Sequence, residues 1–203
     1  HLPYQAMSGV FEGNTTLYLH AKDEKQIVDG ITYLKKIGLT KIVLVGGNGA
    51  VDQLDFLKEN NIPVIVSRPH RLPDNEDDDP KSAFKIASRL VNAGLLVSID
   101  VSGGMERMNT RNLPFYAGSF AAYGLKKEIA LQLITLNPAK ILGIDDLLGS
   151  LEIGKQATLF ISDGDAMDMR TNIINNAFIS GREISLETHQ TKLWKRYSKK
   201  HNN

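Results

Sequence analysis

An α/β fold built on a parallel sheet is what this 203-residue sequence predicts, and three observations predict it. Short apolar runs recur without polar alternation, as strands covered on both faces require. Each run is followed by a stretch whose apolar residues return every three or four positions, the pattern of a helix lying on a sheet. Glycines and prolines punctuate the joints between them.

Residues 15–20 (TTLYLH) form the first β-rich run. In residues 23–37, Ile27, Ile31, Leu34 and Ile37 fall on one helical face, and Gly38 stops the pattern. A second strand is expected at 41–45 and a second helix at 50–60, carrying Val51, Leu54 and Leu57. Residues 62–67 (IPVIVS) read as a third strand, and the proline- and acid-rich stretch 68–80 as an exposed, mobile loop. A helix at 82–92 and a strand at 95–101 complete four strand–helix units. Beyond them lie a Gly/Asn/Arg loop (SGGMERMNTRNLP) and helices at 115–123 and from 126 to about 135, the latter continued through 138–142. Strands at 157–162 and 177–180 follow, then a Gly181–Arg182 turn and a lysine-rich helix at 188–200.

The glycines of KIVLVGGNGAV raise the possibility of a phosphate-cradling loop. Gly47 and Gly49 supply two of the three glycines of a dinucleotide fingerprint, but Asp52 takes the third place. About 20 residues further on, where an acid is wanted for a ribose, stand Ser67 and Arg68. A tight turn between strand and helix accounts for the glycines better.

Composition bounds the function. A formal net charge of +1 supplies no field for nucleic acid, and no apolar run reaches the roughly 20 residues of a membrane span. With no cysteine, disulfides and thiolate chemistry are excluded, while cytoplasm and periplasm stay undistinguished. The chain opens HLPYQAMSGV, so it is expected to be a piece of a longer polypeptide with any targeting signal upstream.

Residues 130–164, ALQLITLNPAKILGIDDLLGSLEIGKQATLFISDG, carry the most specific signal. This run, with the later Ser180-Gly181-Arg182-Glu183 turn, resembles the C-terminal signature of the amidohydrolase superfamily, especially its imidazolonepropionase-like members. The resemblance implies the C-terminal half, strands 5 to 8, of a TIM-like (β/α)8 metal-dependent hydrolase barrel over residues 1–148. It further implies strands of a small β-sandwich over 149–186, with a helical tail at 187–203. Such a half barrel leaves an edge and an apolar face to be covered by a missing N-terminal half, a second chain or a copy of itself.

In that family a divalent metal activates water against a carbon–nitrogen bond other than a peptide bond. Its ligands are an H-x-H pair on strand 1, a strand-4 Lys or carboxylate, histidines ending strands 5 and 6, and an Asp ending strand 8. No H-x-H occurs in this sequence. His20 matches the strand-5 histidine and is the one metal ligand carried over. Gly46 stands at the strand-6 position, where no side chain can ligate. The strand-8 aspartate falls on Ser102, with Asp100 two residues earlier on the same strand face, about 6–7 Å away along it and one layer deeper. Asp100 and Ser102 are therefore both candidate catalytic residues. The implied cofactor is one divalent metal, zinc by resemblance, and a binuclear site is not expected. Arg68, Arg107 and Arg111 are candidates to hold a small-molecule substrate or ligand, or else to tie down their loops. His70, between prolines and an acidic loop, reads as a structural or exposed residue. Two functions follow: a hydrolase whose metal site is incomplete in this chain, or a catalytically degenerate ligand-binding or assembly module on the same scaffold.

Overall fold

The computed structural model describes residues 1–67, 69–73, 76–102 and 105–201, with only the backbone described for 106 and 199–201. Two compact units divide the chain, His1–Ser150 and Leu151–Asn203.

The first unit opens with two short helices, α1 (Leu2–Ala6) and α2 (Ser8–Phe11), which bury little beyond Val10. Four parallel strands then alternate with helices: β1 (Leu17–Ala21), α3 (Glu24–Lys36), β2 (Ile42–Gly46), α4 (Leu54–Glu59), β3 (Val64–Val66), α5 (Ser82–Asn92) and β4 (Val97–Ile99). The strands lie side by side in sequence order, β1-β2-β3-β4. Sequential order with right-handed crossovers carries every helix to one face, whereas a doubly wound sheet reverses its order midway. This is four-eighths of a (β/α)8 barrel: helices outside, and an inner face turned toward the barrel axis.

The helices form where expected because their apolar residues share a stripe. Ile27 and Ile31 of α3 are fully buried, as are Ala87 and Leu90 of α5. Asp23 begins α3 by accepting from Gln26 N at 2.9 Å. The second helix is shorter than its sequence pattern: a 3-10 turn occupies Asn48–Asp52, and Gln53, at φ −126°, ψ 31°, breaks it from α4.

Register fixes what faces inward. Leu19 touches α3 closely enough that a Cβ on Gly30 would lie 3.0 Å from it, so by strand alternation Tyr18 and His20 point to the opposite, inner face. His20 pairs with Val45, Val45 with Ile65, and Ile65 with Ser98, which makes these four one inner layer. The next layer toward the C-terminal end of the strands holds Ser67 and Asp100.

Beyond β4 a second 3-10 turn, Glu106–Asn112, leads into α6 (Leu113–Ala122), α7 (Lys127–Gln132) and α8 (Leu136–Leu142). The junction of α7 and α8 covers the outer edge of β4. Ile99 N donates to Leu133 O at 3.3 Å, and Asn137 Nδ2 donates to Val97 O at 2.7 Å. Gly149, at φ +96°, lies so close to this junction that a Cβ would come 2.7 Å from Ala139 Cβ. The LNPAK and GS pieces of the signature therefore seal one end of the sheet.

The second unit has an antiparallel sheet of β5 (Leu159–Ser162), β6 (Ile174–Ile179) and β7 (Arg182–Glu183), and a terminal helix α9 (His189–His201). Several of its apolar residues are exposed, among them Ile153, Phe160 and Trp194. Among the described residues no helix is long and apolar enough to cross a membrane.

A candidate active-site cleft at the strand ends

The C-terminal ends of β3 and β4 carry a polar cluster. Ser67 Oγ donates to Asp100 Oδ2 at 2.8 Å, and Ser102 Oγ donates to the same oxygen at 2.8 Å. Ser102 N reaches Oδ1 at 3.3 Å. This corrects the extended geometry expected here. β4 ends at Ile99, so Asp100 is the rim residue rather than a deeper one, and Ser102 folds back onto it instead of continuing the strand. With its hydroxyl hydrogen given to Asp100, Ser102 steadies that carboxylate.

Asp100 lines a cleft of about 170 Å³ together with Pro69, His70, Val101, Asn109 and Tyr116. His70 is drawn in from the loop after β3 by contacts that local sequence does not announce. Its ring meets Tyr116 edge-on at 4.6 Å and Phe84 at 5.4 Å between centroids, and its Nε2 lies 2.7 Å from Ser119 Oγ. Burial of part of the ring lowers its pKa. The aromatic contacts continue outward, with Phe84 stacked on Tyr123 at 4.9 Å.

The other candidates lie elsewhere. Arg107 and Arg111 are exposed on the 3-10 turn and do not line the cleft. Arg68 lies outside the described residues. Asp79, in the acidic loop, serves the start of α5: its Oδ1 accepts from Lys81 N, and Lys85 Nζ pairs with Oδ2 at 2.6 Å. Those contacts hold its carboxyl below the usual range.

The inherited metal positions do not assemble. His20 is exposed on the inner face of β1. It stands three strand spacings, roughly 14 Å, from β4 and one layer below Asp100. Between them, Gly46 has φ +115°, and a Cβ built on it would sit 2.7 Å from the Ala21 carbonyl oxygen. The backbone at the strand-6 position is thus shaped for glycine, and no side chain fits there without moving β1. Among the described residues no three His, Cys, Asp or Glu side chains group in a way that could hold a metal ion. The described residues do not by themselves supply the ligand set of the divalent metal that the resemblance implies; His20 is the one among them at a position it assigns to a ligand. The neighbouring GGNG segment is a tight turn, with Gly49 N donating to Lys22 O at 2.7 Å.

Comparison with known proteins agrees with this architecture. The model of the amidohydrolase family matches residues 22–184. A 5'-deoxyadenosine deaminase from Methanobrevibacter smithii is 24% identical over 196 residues, covering 83% of this chain and 44% of that protein. An imidazolonepropionase from Syntrophobacter fumaroxidans is 35% identical over 79 residues, covering 38% of this chain and 19% of that protein. A crystal structure of an amidohydrolase from Thermotoga maritima superposes with a TM-score of 0.80 and 26% identity, over 91% of this chain and 47% of that one. The chain thus spans less than half the length of these relatives. Half a barrel in strand order, a cleft at the C-terminal strand ends and a family match over most of its residues lead to one conclusion: the chain belongs to the amidohydrolase family.

Proposed function

We propose that this chain supplies part of the reaction centre of a hydrolase that opens a carbon–nitrogen bond, other than a peptide bond, in a small polar molecule. The observation that carries this reading is Asp100: a carboxylate at the C-terminal end of a barrel strand, steadied by two hydroxyls and lining a cleft. Barrel enzymes keep their chemistry at that end of their strands. A carboxylate so placed can take a proton from an attacking water and return it to the departing nitrogen. The deaminase and imidazolonepropionase relatives support a nitrogen-containing ring or its derivative as substrate.

The remaining groups of the centre come from outside these residues, from an N-terminal barrel half, another chain or a second copy. β1 supports this. Its odd-numbered residues bond to β2, starting with Leu17 N to Lys41 O, so the amides of Tyr18 and His20 face an edge that invites a further strand. His20 is the inherited metal donor described here, and a divalent ion would need its other ligands from that partner.

The test is Asp100→Asn in the whole protein, assayed with 5'-deoxyadenosine and imidazolonepropionate. Turnover of either is expected to fall by about 100-fold or more, with folding retained. Unchanged turnover would overturn the reading. Gly46 favours a second reading, a degenerate ligand-binding or assembly module, because its backbone excludes the inherited ligand. Under that reading the unaltered protein binds a ligand in the cleft and turns over neither compound.

A further inference from the structure

His70 and Asp100 come from different strand ends yet line one cleft, and the hydrogen-bond directions around His70 define what it offers there. Ser119 has a single hydroxyl hydrogen, which it directs to Phe115 O at 3.0 Å, one turn back in α6. The 2.7 Å contact between Ser119 Oγ and His70 Nε2 must then take its hydrogen from the ring. Nε2 is thus assigned as the protonated nitrogen, which leaves the lone pair of the neutral ring on Nδ1. Tyr116 and Phe84 hold the ring edge-on, so its orientation is set by three side chains from two helices. The residue keeps solvent exposure, so a ligand can reach it. Partial burial also favours the uncharged ring.

We propose that His70 is a ligand-binding residue whose Nδ1 accepts a hydrogen bond beside Asp100, so that the cleft takes small molecules presenting N–H donors, of the amidine or amine class, in preference to anions of the same shape. Two acceptors, an imidazole nitrogen and a carboxylate, repel a carboxylate ligand and match a donor pair. The inference rests on the hydrolase reading for the identity of the cleft, and adds a residue and a selectivity to it.

Benzamidine and benzoate differ chiefly in charge and donor count and make the test pair. Calorimetry on the whole protein is expected to show benzamidine binding at least about tenfold tighter than benzoate, the size of effect one charge-assisted hydrogen bond gives. His70→Gln keeps a donor for Ser119 and replaces the fixed ring acceptor with a flexible amide oxygen, and is expected to lower benzamidine affinity about tenfold. In the unaltered protein, ¹⁵N NMR of the ring is expected to show Nδ1 as the bare nitrogen, with its signal moving on benzamidine addition. This measurement decides the matter even where the variant fails to fold. Equal affinity for the two ligands, unchanged binding by His70→Gln, or a protonated Nδ1 would overturn the proposal. Those results alongside a turnover loss in Asp100→Asn sink the His70 inference alone; unchanged turnover in Asp100→Asn with amidine selectivity present sinks the hydrolase reading alone.

Discussion

Ser67 and Asp100, 33 residues apart in sequence, are joined by a 2.8 Å hydrogen bond that ties the end of β3 to the end of β4. Ser102 delivers its hydroxyl to the same carboxylate oxygen at 2.8 Å. Because both hydroxyls converge on Oδ2, an Asn at position 100 can hold them on its amide oxygen and gives up only the longer 3.3 Å contact from Ser102 N, which is why Asp100→Asn tests chemistry rather than folding. Asp100→Ala removes the acceptor of both hydroxyls and is expected to cost about 1–3 kcal/mol. Urea unfolding of the three proteins, with Asn close to wild type and Ala clearly weaker, checks this. Equal losses would mean that the cluster does not organise the rim.

Gly46 yields a prediction against intuition. Placing histidine at position 46, where the family resemblance implies a ligand, is expected to harm the protein and add no metal. At φ +115°, with the Ala21 carbonyl oxygen 2.7 Å from the Cβ site, even Gly46→Ala should lose about 1–3 kcal/mol. Gly46→His should be no more stable than Gly46→Ala and show no gain in zinc by elemental analysis. A gain to one zinc per chain would show that the turn can reopen.

The fold was legible where burial writes itself into local pattern. Apolar runs around Val43 and Val64 announced strands because both faces are covered, and α3 and α5 announced themselves through Ile27, Ile31, Ile86 and Leu90. α1 and α2 left no trace because Val10 is nearly all they bury. The break at Gln53 was hidden because Val51, Leu54 and Leu57 keep helical spacing across it. At the site, the residue type at Gly46 was readable but its closed backbone was not. His70 carries no local sign of a site because its neighbours are prolines and acids; what places it are Phe84, Tyr116 and Ser119, all distant in sequence. A histidine between a strand end and a proline-rich loop was the available signal, and only non-local packing gives it meaning.

Asn137 has a task that its signature does not spell out. Its Nδ2 donates to the carbonyl of the fully buried Val97 at 2.7 Å, on the β4 edge that no strand covers among the described residues. Asn137→Ala should strand that carbonyl and cost about 1–3 kcal/mol. Asn137→Asp puts an acceptor against an acceptor and should cost at least as much. Unfolding midpoints for both variants check this; a harmless Asp would mean that the amide bond does not hold the edge.

His70 also predicts how stability varies with pH. Burial of its ring lowers its pKa in the folded protein below the ordinary 6.5, so folding favours the neutral form. The unfolded chain then binds this proton more readily than the folded one, and stability rises with pH wherever that difference operates. The contribution is fully present above about pH 6.5 and is lost as pH falls through 6.5 toward the lower folded value. Asp79 and Glu187, whose pKa values are lowered by Lys85 and Lys195, lose their contributions in a more acidic range, below about pH 4.5. The free energy of unfolding, measured between about pH 8 and pH 5, should therefore decline for the unaltered protein and decline less for His70→Gln. Subtracting the two curves removes the other histidines, which both proteins share. Parallel curves would show that the ring in the Tyr116–Phe84 corner titrates as it does in water, and that its packing does not discriminate between its protonation states.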